Sequence, residues 1–252
     1  MSELKIRSLF VKIGGRHVVN GADFLADGNV TVLLGRNGCG KSTLLKAILG
    51  LIPSKGDIFL NGQDIRRLKA RERAKRFSYL PQRQSAPSGV AVIDYVSMGS
   101  GGVFLPPDKE AVSRAEKELN KLELSQLSDR RISTLSGGEL RLAGLARARV
   151  QCADFMILDE PLAGLDFARQ HEFMQLLKSE KSSVLMSMHD PMLAWQYADS
   201  ILLMDDGKIF SCDRNDEKSY EVLLNKIYGH NLRFTQVDDM KIPIWHTDSE
   251  VL

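Results

Sequence analysis

The segment Gly35-Arg36-Asn37-Gly38-Cys39-Gly40-Lys41-Ser42 fits the spacing G-x-x-x-x-G-K-[ST], the pattern of a loop that cradles phosphates. Its glycines let the backbone curl so that successive N–H groups face phosphate oxygens, and a helix starting at Lys41 adds its positive dipole end. Lys41 brings charge to the β- and γ-phosphates, and the Ser42 hydroxyl, followed by Thr43, suits a magnesium ion. A second signal is Phe155-Met156-Ile157-Leu158-Asp159-Glu160. A buried strand that ends in two carboxylates delivers them to the carboxyl edge of a sheet, where α/β proteins place ligands. Asp159 there suits magnesium, usually through water, and Glu160 suits a general base for an attacking water. Helix capping by the aspartate is the plainer alternative. A third signal, Leu135-Ser136-Gly137-Gly138-Glu139, precedes a helical stretch. Ser136 and Glu139 are spaced as a capping box, and the two glycines allow a phosphate close to a helix start.

Such residues need a sheet edge and helix starts to hold them. The apolar runs Val30–Leu34, Phe155–Leu158, Val184–Met188 and Ile201–Met204 are short and bounded by turns. They read as strands buried on both faces, as in a parallel sheet covered by helices. Helical patterns run from Lys41 to about Leu49, stopped by Gly50 and Pro53, and from Asp166 to about Leu177. The beginning of the chain differs. Leu4 and Ile6, then Leu9, Val11 and Ile13, alternate up to a hairpin turn at Gly14-Gly15. Asp205-Asp206-Gly207 predicts a second hairpin, joining Ile201–Met204 to Lys208–Phe210. Residues 85–134 are helix-rich, punctuated by Pro87, by Gly99, Gly101 and Gly102, and by Pro106-Pro107. The expected fold class is α/β, with an antiparallel β element at its start and an inserted helical subdomain.

Composition sets bounds on partners. A chain of 252 residues suits one large domain or one domain with an insertion. Hydrophobic residues at 43% and charged residues at 26% are ordinary for a globular chain and argue against global disorder. Thirty-four basic against 32 acidic residues leave a net charge of +2, so no nucleic-acid partner is expected on overall charge. Cys39, Cys152 and Cys212 lie far apart and outside any metal-ligand spacing, which suits a reducing cytosol. The start, Met-Ser-Glu-Leu-Lys, lacks the apolar core of a signal peptide. No apolar run approaches the roughly 18 residues of a membrane span. The basic run from Arg66 to Arg76 reads as a solvated helix, with a surface facing anionic lipid or a partner as the alternative.

Taken in order with Gln82 in Tyr79-Leu80-Pro81-Gln82, with Ala163-Gly164-Leu165-Asp166 and with His189, these segments resemble an ATP-binding-cassette (ABC) ATPase from about residue 3 to 245. The resemblance implies a P-loop NTPase core in a single domain over 1–252, a helical subdomain at about 85–150 and a tail at about 213–252. It implies a head-to-tail dimer with two ATPs between the subunits. Each ATP would touch Gly35, Arg36, Asn37, Gly38, Cys39, Gly40, Lys41, Ser42 and Thr43 of one subunit, and Ser136, Gly137 and Gly138 of the other. Gln82 would contact Mg2+ and the attacking water, His189 would bond the γ-phosphate, Glu160 would act as base, and Asp166 would pass signals between the composite sites. Two departures stand out. Leu140-Arg141-Leu142 replaces the Gln-x-Arg of many relatives, on the helix body. Ile13 stands where relatives place an aromatic residue against adenine, and Phe10 should face the other side of the strand.

Within that family, a detached ATPase subunit of an importer fits best. Fused membrane helices, long coiled-coil insertions and a second cassette are all missing. Val96-Ser97-Met98-Gly99 and the tail Tyr228-Gly229-His230-Asn231-Leu232, followed by a hairpin to Trp245, are similar to ATPases of iron-siderophore, haem and cobalamin importers. The implied partners are integral-membrane permease subunits, a second copy and, indirectly, a substrate-binding protein, at the cytoplasmic face of the membrane. An ATPase of iron–sulfur assembly and a zinc or manganese importer subunit are the alternatives.

Overall fold

Alternation along the first strands builds one sheet, and continuous apolar runs build another. In the computed structural model, residues 2–85, 87–100, 108–179, 182–212, 216–229, 231–237 and 240–246 are described. Gly101, Gly102, Pro106, Pro107 and His230 fall outside them. Strands β1 (Leu4–Ile13) and β2 (Arg16–Ala26) turn back on each other at Gly14 and Gly15, with φ of 56° and 81°. Positive φ at both positions is what a tight hairpin turn demands. The chain then enters β3 (Val30–Gly35), α1 (Lys41–Ile48), β4 (Lys55–Leu60) and β5 (Gln63–Asp64). Strands β2-β1-β4-β5 form a four-stranded antiparallel sheet. Leu4, Ile6, Leu9 and Val11 are all buried, although Ile6 and Leu9 are an odd number of residues apart. A bulge reconciles the two phases: Ser8 has φ 45°, and the register shifts between Ile6 and Leu9. Ile13, at the end of the strand on the face of Leu9 and Val11, is 53% exposed, so its side chain is open to a ligand.

The second sheet holds β3 at its centre. It is completed by β6 (Phe77–Leu80), β7 (Phe155–Leu158), β8 (Ser183–Met188), β9 (Ser200–Asp205) and β10 (Lys208–Cys212), in the order β10-β9-β3-β8-β7-β6. All pairings are parallel except the β9–β10 hairpin, which turns at Asp206 and Gly207. Every residue of β3, β7 and β8 is buried. Strand geometry sends alternate side chains to opposite faces. Val30, Val32 and Leu34 therefore join one core, and Leu33 joins the other, with α1 and the antiparallel sheet.

Helices α2 (Ala70–Arg76), α3 (Val92–Ser97), α4 (Lys109–Lys121) and α5 (Gly137–Val150) include three between β6 and β7. Val96, Leu119, Leu142 and Leu145 carry the first core into them. Helices α6 (Phe167–Lys178) and α7 (Pro191–Tyr197) flank β8, and α8 (Glu217–Tyr228) leads to the hairpin of β11 (Asn231–Val237) and β12 (Met240–His246). The basic run is solvated but not one helix. A 3-10 turn at Ile65–Arg67 is separated by extended Leu68 and Lys69 from α2, of which no residue is buried. The Lys69 N–H donates to Glu72 Oε2 at 2.9 Å, which starts a new helix there. Among the described residues no helix is long and apolar enough to cross a membrane.

Candidate functional site

The phosphate-type loop leaves the carboxyl end of β3 and runs straight into α1, as its spacing predicts. Gly38 and Gly40 have φ of 80° and 112°, and a side chain on Gly40 would collide with Val18 O and Met204 Cε, each at 2.8 Å. Gly40 also caps α1 without any side-chain hydrogen bond, so the free N–H groups of the first turn remain available to an anion. Lys41 is buried, and its Nζ donates to Gly35 O at 2.7 Å and Arg36 O at 3.2 Å. Burial pulls its pKa down, opposed by Cys39, Glu160 and Asp159. Cys39 is half-buried, and burial pushes its thiol up, so a neutral group lines the loop where an anion would repel phosphate.

The strand-end carboxylates stand opposite. Asp159 is 1% exposed and caps no helix, contrary to the plainer reading. Its Oδ1 accepts from Ser42 Oγ at 3.0 Å and from Ser187 Oγ at 2.8 Å. Glu160 takes a φ of 48°, unusual for a residue with a side chain, and its N–H donates to the same Ser187 Oγ at 2.9 Å. One Glu160 oxygen accepts from Gln82 Nε2 at 2.6 Å, and the other lies 2.6 Å from His189 Nε2. His189 Nδ1 is 3.4 Å from Lys41 Nζ. An ammonium only donates, so Nδ1 is the acceptor and Nε2 carries the proton given to Glu160. Gln82, Glu160, His189 and Lys41 thus form one chain of contacts across the sheet edge.

Ser42, Asp159 and Gln82 offer hard oxygen donors suited to a small divalent cation, which uses one or two carboxylates plus substrate phosphates. Among the described residues no cluster of three or more His, Cys, Asp or Glu could hold a metal by itself. The donor set therefore fits magnesium that arrives with a nucleotide.

Ser136 and Asp166 are not bonded into this chain. Ser136 N donates to Glu139 Oε2 at 2.7 Å, and Glu139 N donates to Ser136 Oγ at 3.3 Å. These bonds hold the Glu139 carboxyl below its usual range, the Ser136 backbone N–H first and the hydroxyl second. Gly137 has open space where a side chain would be, and Gly138 packs near Leu165 and Gly164. Asp166 caps α6 by accepting from Arg169 N at 2.9 Å.

Three contributors were not evident from sequence. Ser187 was hidden in an apolar strand, although a serine among Leu, Met and Val was a readable signal. Arg141, on the helix body, is 7% exposed and forks onto Pro81 O at 2.8 Å and Gln82 O at 2.7 Å. Burial pulls its pKa down, while Asp159 and Glu160 favour its charge. Tyr228 is half-buried at the close of α8, and desolvation, with Cys39 adding, pushes its pKa up to about 12.

A glycine-rich loop feeding a helix, with a strand-end carboxylate pair held by glutamine and histidine, defines a P-loop nucleoside-triphosphatase. The sequence profile described as ABC transporter matches residues 23–163. The chain belongs to the ABC transporter family, as an ATP-binding ATPase chain. It is 33% identical to a siderophore transport system ATP-binding protein of Bacillus subtilis (strain 168), over 94% of this chain and 89% of that one. It is also 33% identical to a hemin import ATP-binding protein of Deinococcus radiodurans, over 96% and 95% of the two chains. In fold it resembles a chain of a transporter described as of metal-chelate type, in an inward-facing conformation. The TM-score is 0.80, with 24% identity over 97% and 96% of the two chains.

Proposed function

We propose that this chain is the ATP-hydrolysing subunit of an importer for an iron chelate such as a siderophore complex or haem, working as a head-to-tail pair docked on permease subunits at the cytoplasmic face of the membrane. We read it as one domain over 1–252, with a helical unit at about 85–150 and a tail at about 213–252. The observation that carries the reading is the Glu160 carboxylate pinned between Gln82 and His189 at 2.6 Å on each side, beside Lys41. The iron-chelate cargo is supported by the names of relatives that align along nearly the whole chain.

The free N–H groups of the loop and α1 hold the phosphates, and Lys41 exchanges the Gly35 and Arg36 carbonyls for β- and γ-phosphate oxygens. Magnesium, held by Ser42, Asp159 and Gln82, would neutralise charge on the phosphates. Gln82 and His189 aim the Glu160 carboxylate, which accepts the proton of the attacking water. The new oxygen–phosphorus bond forms as the γ-phosphorus parts from the bridging oxygen, leaving ADP and phosphate, and Glu160 returns the proton to the phosphate. Ser136, Gly137 and Gly138 close over the γ-phosphate of the other subunit, for which Glu139 holds the helix start in shape. Asp166 links the two sites. A substrate-binding protein delivers cargo to the permease and never meets this chain.

Glu160→Gln keeps the shape and loses the base. ATP and magnesium should then drive dimers that light scattering detects, with hydrolysis lost. Turnover equal to the parent in the assembled transporter would reject Glu160 as the base.

A further inference from the structure

His189 stands on a short turn between Met188, the last residue of β8, and Pro191, the first of α7. Strand β8 lies inside its sheet, between β3 and β7, so the aim of the imidazole depends on what holds the other end of the turn. Asp190 caps α7 by accepting from Met192 N at 2.8 Å and Leu193 N at 3.1 Å. Pro191 is buried at the first helical position, and its carbonyl accepts from Tyr220 Oη at 2.7 Å. Tyr220 is 0% exposed and belongs to α8, 29 residues further along the chain. Burial first, then Cys212, pushes its pKa well up, so the hydroxyl stays a neutral donor.

A helix as short as α7 does not hold its own direction in water, so its tertiary contacts set it. Those contacts come from the end of the chain. Trp195 of α7 packs at 5.0 Å on the Tyr220 ring and at 4.6 Å on Phe234 of β11. Asn225 of α8 clamps Leu232, donating to its carbonyl at 3.0 Å and accepting its N–H at 2.6 Å, which ties the terminal hairpin to the helix. About 12 Å along α8 from Tyr220, Tyr228 lies beside Gly35, Arg36 and Cys39 of the phosphate loop. Its Oη is buried and closes no hydrogen bond among the described residues. Helix α8 therefore touches both walls of the site, the turn that carries His189 and the loop that leads to Lys41. A buried tyrosine hydroxyl finds some partner in most cores; here the partner is the carbonyl two residues after the imidazole that bonds Glu160.

We propose that Tyr220 is a positioning residue for ATP hydrolysis: by holding Pro191 O it fixes the turn that presents His189 to Glu160 and to the γ-phosphate. The terminal helix and hairpin thereby serve the chemistry from behind the site. This rests on the reading of Gln82, Glu160 and His189 given above and adds a group that touches neither nucleotide nor water.

Tyr220→Phe keeps the ring against Trp195 and Phe234 and removes only the hydroxyl. In the assembled transporter its kcat should fall about fivefold or more, since a misplacement of about 1 Å at an aiming group costs up to about a hundredfold. KM for ATP should stay within about twofold, because the phosphate loop and Lys41 are untouched. The imidazole supplies a readout that a merely structural tyrosine would leave alone. With isotope-labelled histidine in the full chain at about pH 8, where histidine is neutral, ring-nitrogen signals of His189 are assigned by their loss in His189→Gln. The parent should show one tautomer, protonated at Nε2, and Tyr220→Phe an average of the two. Pro191→Ala frees φ at the same residue with Tyr220 intact. It should lower kcat in the same way by a smaller factor, and it carries the test if circular dichroism shows Tyr220→Phe unfolded. A parental kcat, an unchanged His189 signal, or a loss that lies wholly in KM overturns the proposal. Turnover of His189→Gln separates the two layers of the argument. If it is lost while Tyr220→Phe turns over like the parent, the positioning role falls and the reading of the site stands. If His189→Gln turns over like the parent, the reading of the site falls and Tyr220 with it.

Discussion

Ser187→Ala removes a single oxygen from the interior of β8, and its effect can be worked from three bonds. Ser187 is 0% exposed, donates to Asp159 Oδ1 at 2.8 Å and accepts from Glu160 N at 2.9 Å. A hydrogen bond to an ionised group is worth about 1.5–3 kcal/mol net, and one to a neutral backbone group about 0.5–1.5 kcal/mol. Alanine is close to serine in volume, so the cavity adds little, and Asp159 keeps its bond from Ser42. The expected loss of folding stability is therefore about 2–4 kcal/mol. With a urea slope of roughly 3 kcal/mol per molar for a chain of this size, the midpoint should fall by about 1 M. Ser187→Cys, a weaker donor, should fall between the two. Turnover should drop about tenfold or more, because the strained Glu160 backbone loses its anchor and the carboxylate its aim. A stability change below about 0.5 kcal/mol at unchanged slope would refute the reasoning, since Asp159 and Glu160 would then not depend on this hydroxyl.

The remaining expectations concern the rim of the site. Ile13→Tyr should tighten ATP binding about fivefold, because stacking on a base is worth roughly 1–3 kcal/mol; calorimetry showing flat affinity for ATP would place the adenine elsewhere. Arg141→Lys keeps the charge but loses the fork on Pro81 and Gln82. It should cost about 1–2 kcal/mol of stability and lower kcat more than it raises KM, and an unchanged kcat would dismiss Arg141 as a positioning residue. Glu139 has a folded pKa below its unfolded value, so its contribution is complete above the usual carboxylate range and is lost as pH falls through the lower folded value. Amide protection at the first turn of α5, taken relative to the intrinsic exchange rate at each pH, should fall in that acid window, and Glu139→Ala should remove this pH dependence.

Much of the fold was legible because each signal was local. The four continuous apolar runs became the parallel strands, and the loop and both carboxylates lie at the edge of the sheet they form. The reading failed where a distant partner decides. The bulge at Ser8, which keeps both Ile6 and Leu9 buried, has no glycine to announce it. Leu68 and Lys69 interrupt a run whose composition is uniformly helical, because Glu72 caps a new start at Lys69 N. Arg141 looked like one more polar residue on a helix, since its two acceptors lie 59 and 60 residues away in sequence.

That arginine gives α5 a mechanical character. The helix begins at the Ser136 cap, grips the Gln82 segment from Arg141, and ends its useful length at Gly144, Arg147 and Ala148, which line a groove shared with α2 and α3. From Ser136 to Ala148 is about 18 Å at 1.5 Å rise per residue, along a rod that changes length only by breaking backbone hydrogen bonds. The rod cannot store a push at one end as local strain. A tilt imposed from the groove must reappear as a displacement of Ser136, Gly137 and Gly138, and it must drag the Pro81 and Gln82 carbonyls by the same rotation. Groove, glutamine and serine–glycine turn therefore share one degree of freedom rather than three.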